Sequence, residues 1–209
     1  MARAPARTPS GEKLSARERE LLDATIKVLD EHGYDRLTVD EVAALAHASK
    51  ATIYRRWPSK RDLIIAAMAA RMDTPAFAEQ MEDVPLRDEL LHVVRRLAAE
   101  AREMRGTIAG LVGEAIRNDE LRASLLEHFV TPRRDSIRTM LERRRAVGQI
   151  RDDIDLEFAG AIPSAIILQR LLVTHESVDD TLPERIVDEL MLPLLSPAEP
   201  TASRPAKRK

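Results

Sequence analysis

The alternation of apolar and polar positions along this chain has the period of an α-helix rather than that of a strand. Leu22, Ile26 and Leu29 repeat at intervals of four and three residues, which places them on one helical face. Gly33 follows this run at a position where glycine often ends a helix. The same periodicity continues through most of the chain with short polar interruptions, so the pattern predicts an all-α protein.

Capping residues mark four helix starts in the first sixty residues. Ser15 and Thr38 each stand three residues before a glutamate, which is the spacing of a capping box. Ser59 stands three residues before an aspartate in a shorter version, and Ser49 precedes a further helical run. Pro58 is expected to end that run, because proline disfavours the helical conformation in the residue before it.

The second and third predicted helices, 39–46 and 50–57, are separated by three residues, as in a helix-turn-helix. Ile53 is placed to pack back against Val42, and Trp57 is the next inward position. On spacing alone, a plain helical corner of the kind found in many enzymes remains the alternative. The face left exposed at the third helix carries short, polar and cationic side chains: Lys50, Ala51, Thr52, Tyr54, Arg55 and Arg56.

A helix with such residues in its first turns can enter the major groove of DNA. We expect Lys50 and Thr52 to contact base edges. Thr38, at a helix N-terminus with free backbone N–H groups, is expected to hold a phosphate. The remaining cationic and hydroxyl side chains are better placed for phosphates, which position a protein without reading sequence: Tyr54, Arg55, Arg56 and Lys60.

Residues 75–196 carry helical patterns without a further motif. Thr131 followed by Pro132 has the form of a cap and a first-turn proline, so a new helix is expected to open there. Arg143-Arg144-Arg145 lies late in that helix and is interpreted as a solvated face. The predicted helices are 86–104, 108–117, 119–129, 131–148, 156–173 and 182–195.

The segment 156–173 is apolar on nearly every face. A helix of that kind must be covered on all sides, yet few other elements remain to cover it. A second copy of the chain would supply the cover, with 182–195 alongside; the alternative is the central helix of a monomeric bundle. The residues expected at the interface are Leu168, Leu171, Leu172, Ile186, Leu190 and Leu194.

Composition removes several classes of site. The 209 residues include no cysteine, which excludes disulfides, thiolate-metal sites and a cysteine nucleophile, and fits a reducing cytoplasm. The five histidines are scattered, and no phosphate-binding loop or nucleophile elbow is present. We therefore expect no enzyme activity, metal or cofactor; a helical-bundle enzyme is the remote alternative. No secretory signal or membrane span is expected either.

The net charge of −2 conceals an asymmetry along the chain. Residues 1–62 carry 12 Lys and Arg against 10 Asp and Glu, whereas residues 63–199 carry 17 against 25. This difference suggests that only the N-terminal part meets a polyanion. The chain is accordingly divided into a flexible basic arm (1–13), a helix-turn-helix domain (14–62), a larger helical domain (63–196) and a disordered basic tail (197–209).

The stretch from Leu21 to Ile64, "LLDATIKVLDEHGYDRLTVDEVAALAHASKATIYRRWPSKRDLI", resembles the DNA-binding domain of the TetR (tetracycline-repressor-like) family of bacterial transcription regulators. The resemblance covers the three-helix unit and the opening of the fourth helix. His47 departs from the pattern, because the family usually has glycine at this turn position. The matching positions are Gly33 with Tyr34, Thr38, Val42-Ala43, Ser49 through Tyr54, Trp57 and Lys60.

The resemblance implies an N-terminal helix-turn-helix domain and a C-terminal helical bundle, about nine to ten helices in all, that dimerises on a palindrome-like operator. It places Thr38, Ser49, Lys50, Ala51, Thr52, Tyr54, Arg56 and Lys60 at DNA-contacting positions; Arg55 is added on charge alone.

It also implies a cytoplasmic repressor released by a small molecule bound in the C-terminal domain. A regulator without an effector, or an activator, remains the alternative. Because aromatic residues are scarce, an apolar effector in an aliphatic cavity is expected. The candidate lining residues are Met104, Leu111, Phe129, Met140, Phe158, Ile162, Ile166 and Gln169.

Overall fold

A computed structural model describes residues 14–72, 81 and 84–197. Within those residues the chain forms nine helices and no strand, which confirms the predicted all-α class. Five helices come first: α1 (Ala16–Arg36), α2 (Val39–Leu45), α3 (Lys50–Arg56), α4 (Lys60–Arg71) and α5 (Leu86–Glu103). They are followed by α6 (Arg105–Ala115), α7 (119–146), α8 (Leu156–Thr174) and α9 (182–195). The predictions for the arm and for tail residues 198–209 lie outside the described part.

The predicted caps are present at the first four helices. Ser15 and Glu18 form a complete capping box, as do Thr38 and Glu41. The Ser49 and Ser59 hydroxyls accept hydrogen bonds from backbone N–H groups three residues ahead, at 3.2 and 3.1 Å. Each bond satisfies a donor that the first turn of a helix leaves unpaired. Helical geometry breaks at Gly33, whose φ is 75°, as its place in the pattern predicted.

An α-helical segment begins at Thr131, as predicted, but Thr131 does not cap it, because the segment continues directly from the preceding helix. Thr131 is itself helical, with φ −62° and ψ −49°, and α7 runs through it. The helix is Asp119–Leu125, a π-helical turn Leu126–Val130, and Thr131–Ala146. Pro132 has no N–H for the usual bond to residue i−4, and the wider π turn directly before it accommodates the missing bond. Pro132 therefore lies inside the continuous helix α7 and does not end it.

A further π-helical turn, Ile186–Met191, changes the register of α9. The sequence predicted Leu182, Ile186, Leu190 and Leu194 on one face. In the structure Met191 and Leu195 are buried instead, and Leu190 is 45 % exposed. The extra residue of the π turn shifts the inward positions by one, which turns Leu190 outward.

Two clusters of buried apolar residues form the core. The first joins α1 to α4 with Met104, Leu111, Leu121 and Phe129 from α5–α6 and α7. Packing therefore crosses the predicted boundary between residues 62 and 63. The second cluster joins α5, α7, α8 and α9, and Ile108 packs against both.

A buried ion cluster ties α5 to the end of α7. The Glu89 side chain is 1 % exposed and accepts hydrogen bonds from the guanidinium groups of Arg143 and Arg144. Arg144 also donates to the Gln149 side chain at 3.0 Å. The interpretation of the triple arginine as a solvated face is therefore wrong for Arg144, which is buried in the subunit.

One side of α8 lacks cover within the chain. Its buried residues, Leu156, Ala159, Pro163, Ile167 and Leu171, lie along one side. By length and composition alone this helix could cross a membrane, contrary to expectation, although core helices of soluble proteins pass the same test. The opposite side is exposed and largely apolar: Phe158, Ala161, Ala165, Gln169 and Val173.

Candidate nucleic-acid interface

Helix α3, the candidate recognition helix, packs against the rest of the domain through its inner side. Ile53 is fully buried, and Trp57 is buried at the helix end, as predicted from their spacing. Val42 on α2 is also fully buried. These contacts leave the outer side of the helix available, with Thr52 half-buried and its neighbours exposed: Lys50, Ala51, Tyr54, Arg55 and Arg56.

His47 adopts the left-handed conformation at the turn, with φ 48°. This is the backbone conformation for which glycine is the usual choice, so the substitution keeps the shape of the turn at a cost of roughly 1–2 kcal/mol. The His47 carbonyl oxygen accepts a hydrogen bond from the Arg17 guanidinium at 2.8 Å. Sequence reasoning missed Arg17, because its partner lies 30 residues away and no local pattern marks it.

An ion pair fixes the other end of α3. Arg56 Nε lies 2.9 Å from Glu18 Oε1, at the start of α1. The hydrogen bonds from Ser15 lower the pKa of Glu18, and the charge of Arg56 lowers it further, so the carboxylate is ionised at neutral pH. Arg56, predicted as a phosphate contact, is thus also a tie between the recognition helix and α1.

Lys50 is paired across the turn with an acid. Its ammonium lies 2.5 Å from the Asp40 carboxylate on α2, and both side chains are more than half exposed. The Thr52 hydroxyl lies 2.9 Å from that of Ser49. In contrast, Arg55 pairs with no acid among the residues that the structure describes. The two side chains predicted to contact bases therefore have protein partners that DNA would have to displace.

The Lys60 ammonium is turned towards its own domain. It donates to the Tyr34 carbonyl oxygen at 2.8 Å and the Asp35 carbonyl oxygen at 3.3 Å, and it lies 4.6 Å from the centre of the Tyr34 ring. Burial raises the pKa of the Tyr34 hydroxyl. Lys60, expected at a phosphate, therefore holds the end of α1 against the start of α4.

Thr38 is exposed at the N-terminus of α2, but its hydroxyl and N–H are both bonded to Glu41. These hydrogen bonds, with that of the hydroxyl first, lower the pKa of the Glu41 carboxyl. A phosphate at this helix end would lie beside that carboxylate.

The residues predicted to line an effector cavity divide into three groups. Met104, Leu111 and Phe129 belong to the first core cluster, and Met140 is buried in the second. Ile162 and Ile166 are partly buried against the second cluster. Phe158 is 73 % exposed and Gln169 is exposed as well, so the structure corrects the placement of these two in an enclosed cavity.

A groove of about 820 Å³ opens elsewhere on the surface, beyond the C-terminal end of α7. None of the predicted effector residues lines it. Its walls are polar and apolar in similar measure, and the lining residues are Glu142, Arg145, Ala146, Gly148, Ile150, Arg151, Asp152 and Pro197.

The predicted interface residues also separate by burial. Leu171 and Ile186 are buried within their own subunit, at 3 % and 1 % exposure, which corrects their assignment to a surface between subunits. Leu190 is exposed. The other three, Leu168, Leu172 and Leu194, are partly buried. The accessible apolar residues of α8 and α9 therefore differ from the predicted set in two ways. Leu171 and Ile186 are lost from it, and Phe158, Ala161, Ala165 and Val173 are gained.

Within residues 14–72, 81 and 84–197, no group of three or more His, Asp or Glu side chains is arranged to hold a metal ion. The geometry of the described N-terminal helices is that of a nucleic-acid-binding unit, with a cationic helix packed by its apolar side.

Comparison with known proteins gives the family. Residues 21–67 match the model for "Bacterial regulatory proteins, tetR family", and residues 84–190 match "Tetracyclin repressor-like, C-terminal domain". The chain is 38 % identical over 183 residues to the HTH-type transcriptional regulator Rv1556 of Mycobacterium tuberculosis, covering 87 % of this chain and 89 % of the relative. It is 34 % identical over 182 residues to the DNA-binding transcriptional repressor TetR of Mycobacteroides abscessus, covering 87 % and 95 %.

Among solved structures, GusR of Salmonella enterica shares the fold, with a TM-score of 0.73 at 21 % identity. The match covers 88 % of this chain and 99 % of GusR. Both family models and the relatives that match over most of their length identify the same family. This chain belongs to the TetR family of transcriptional regulators and is not an enzyme.

Proposed function

We propose that this regulator is a homodimeric repressor that inserts α3 into the major groove and is released by a small apolar effector. The observation that carries the proposal is the outer side of α3, where no acidic side chain interrupts the cationic and small residues between Lys50 and Arg56. Lys50 and Thr52 would contact base edges, while Tyr54 and Arg55 would contact phosphates.

The second subunit is inferred from the uncovered side of α8. Apolar residues from Phe158 to Val173 are exposed there, and Leu190 of α9 is exposed as well. An exposed apolar helix side of this kind favours a self-complementary interface about a two-fold axis. Two copies of α3 would then lie one DNA turn or more apart, roughly 34 Å or a little beyond, against a palindrome-like operator in the bacterial cytoplasm.

Release is proposed to act through the shared core. Met104, Leu111 and Phe129 pack in the same cluster as α1 and α4, so a ligand that enters beside them would displace the helices that position α3. The buried Thr107 on α6 donates a hydrogen bond to the Asp30 side chain on α1, which adds a direct tie. Ile162, Ile166 and Met140 would form the opposite wall.

The test of the proposed function is selection of bound fragments from genomic DNA with the full-length protein. We expect a symmetric motif whose half-site spacing matches two recognition helices. Competition between that operator and random duplex then measures specificity. Equal affinity for both duplexes would remove the proposal.

Replacing Lys50 by alanine is expected to weaken operator binding by about 1–3 kcal/mol and to relax preference at one base pair. Asp40→Asn provides the matched control, because it removes the ion-pair partner while leaving Lys50 in place. That control is expected to bind the operator as tightly as the wild type or more tightly. Fluorescence anisotropy with operators substituted at single base pairs measures both effects. A uniform loss at every operator sequence would show that Lys50 does not read a base.

Replacing Glu41 by glutamine tests the phosphate predicted at Thr38. Glutamine can retain the capping acceptor but removes the negative charge at this helix end. We therefore expect tighter operator binding, by roughly two- to fivefold, corresponding to the 0.3–1 kcal/mol of a charge near a helix terminus. Thr38→Ala should weaken binding. Titrations at two salt concentrations provide the measurement, and weaker binding by Glu41→Gln would argue against a phosphate there.

A further inference from the structure

An acidic side chain lies next to the residue of α3 that is proposed to contact base edges. Asp40 is the second residue of α2, and its carboxylate is 2.5 Å from the Lys50 ammonium at the start of α3. The Asp40 side chain is 60 % exposed and that of Lys50 is 59 % exposed, so both are accessible to a ligand on this surface. A carboxylate at this place calls for an explanation, because it repels the phosphates that a DNA-binding surface approaches.

The folding of α2 does not supply that explanation. The capping box at the start of the helix is completed by Thr38 and Glu41. Val39 and Val42 provide its buried side. An acid in the first turn interacts favourably with the helix dipole, but Glu41 already places one there. The helix by itself therefore does not require an acid at position 40.

The backbone holds the two charged side chains at a constant spacing. Val42 on α2 and Ile53 on α3 are both fully buried, and the Ser49 hydroxyl caps the start of α3. The 2.5 Å between the charged groups of Asp40 and Lys50 is less than the rise of one base pair, which is about 3.4 Å. When Lys50 contacts a base, Asp40 is therefore brought to the same base pair or to the adjacent one.

The major-groove edge of G·C is complementary to this pair of charges. Guanine presents the acceptors O6 and N7, which bind lysine, and cytosine presents the N4 amino group, which donates to an aspartate. Once Lys50 moves from Asp40 to guanine, the Asp40 carboxylate is left on the DNA surface without its counter-charge. Leaving it without a donor there is costly, and the cytosine amino group supplies one. Guanine O6 and thymine O4 are acceptors and would repel the carboxylate.

We propose that Asp40 is a specificity-determining residue, which accepts a hydrogen bond from cytosine N4 in the base pair contacted by Lys50 or in the adjacent one. The inference rests on the proposed DNA binding and deepens it, because it assigns one operator position to a side chain of α2. Asp40 acts mainly against other sequences, where its charge meets acceptors and phosphates without compensation. It therefore lowers the affinity for random duplex more than the affinity for the operator.

The experiment titrates full-length protein on the operator recovered by genomic selection and on copies with one modified cytosine. Each cytosine of the two half-sites is replaced in turn by N4-methylcytosine. The methyl group takes the major-groove position on N4 and leaves Watson–Crick pairing in place, so it removes the donor that Asp40 is proposed to bind. 5-Methylcytosine at the same position keeps that donor and controls for added bulk in the groove.

Four proteins are compared: the wild type, Asp40→Ala, Asp40→Asn and Glu31→Gln. Asparagine keeps one acceptor oxygen but removes the charge. Glu31 lies on α1 with its side chain 72 % exposed, so Glu31→Gln removes one negative charge from the same DNA-binding unit away from the pair. Thermal unfolding checks that each variant is folded.

We expect the wild type to lose about tenfold in affinity when one particular cytosine of each half-site carries the N4 methyl group. Asp40→Ala should lose no more than about twofold there, and it should bind random duplex roughly two- to fivefold more tightly than the wild type, because a charge near the phosphates is removed. Asp40→Asn should bind the operator at least as tightly as the wild type and keep part of the penalty. Glu31→Gln should keep all of it.

The sensitive cytosine must lie at the base pair where Lys50→Ala relaxes preference, or next to it. The proposal is overturned if no cytosine there shows the penalty, if Asp40→Ala keeps the wild-type penalty, or if Glu31→Gln also abolishes it. An equal loss of affinity by Asp40→Ala on every duplex would likewise overturn it, because that result is expected of a residue that only holds α2 to α3. A wild type that does not distinguish the operator from random duplex would instead contradict the proposed function itself.

Discussion

Replacing Glu89 by glutamine is expected to lower the free energy of unfolding by about 3–5 kcal/mol. The carboxylate is 1 % exposed and receives the guanidinium groups of Arg143 and Arg144. Glutamine preserves the volume but leaves two cations without their counter-charge, one of them buried. Urea denaturation followed by circular dichroism, at one fixed protein concentration, provides the measurement.

Glu142→Gln is the matched control for Glu89. This glutamate lies on α7 near the same arginines, but it is 43 % exposed and pairs with Arg138 at 3.1 Å. Exposed ion pairs contribute about 0–1 kcal/mol, so the control should change stability little. A loss in Glu89→Gln no larger than that of the control would mean that the buried cluster does not stabilise the contact between α5 and α7.

Replacing Ala165 by glutamate is expected to convert the protein to a monomer and to weaken operator binding by about 100-fold or more. Ala165 is exposed at the middle of the apolar side of α8, so a charge there is solvated in the isolated subunit. In the proposed dimer the same charge would be buried, which costs several kcal/mol for an unpaired ion, with tenfold in affinity for each 1.4 kcal/mol.

Light scattering of the Ala165→Glu variant at micromolar concentration reports the oligomeric state, and operator titration reports the affinity. Ala99→Glu, at an exposed position on α5, introduces the same charge outside the proposed interface and should leave both unchanged. A dimeric Ala165→Glu variant with wild-type affinity would place the interface elsewhere. Thermal unfolding of each variant separates loss of the dimer from loss of the fold.

The change in the inward-facing residues of α9 has one physical origin. The prediction of one apolar face from the spacing of residues assumes 3.6 residues per turn over the whole of 182–195. The π-helical turn at Ile186–Met191 breaks that assumption, and Leu190 moves outward as Met191 moves inward. The spacing of apolar residues carries no signal of the change in backbone hydrogen bonding at such a turn and did not reveal it.

For the charged residues, the sequence predicted which positions are exposed but not which partners they bind. The exposure of Lys50, Arg55 and Arg56 on one side of a short helix could be predicted because helix geometry is local. The sequence did not predict their ion-pair partners, because Asp40 lies across the turn from Lys50 and Glu18 lies 38 positions before Arg56. Lys60 was predicted to contact a phosphate, whereas its ammonium donates to carbonyl groups at the end of α1.

The sequence by itself determined the helical class, the caps at Ser15, Thr38, Ser49 and Ser59, and the presentation of α3 by Ile53 and Trp57. Each of these depends on interactions within a few residues or on the period of one helix. Only the tertiary structure decided that the effector candidates Met104, Leu111 and Phe129 share a core with α1 and α4, and that Glu89 is buried between two arginines. The Glu89 contacts join positions 54 and 55 residues apart, and the proximity of residues so distant in sequence is a property of the packed chain rather than of any local pattern.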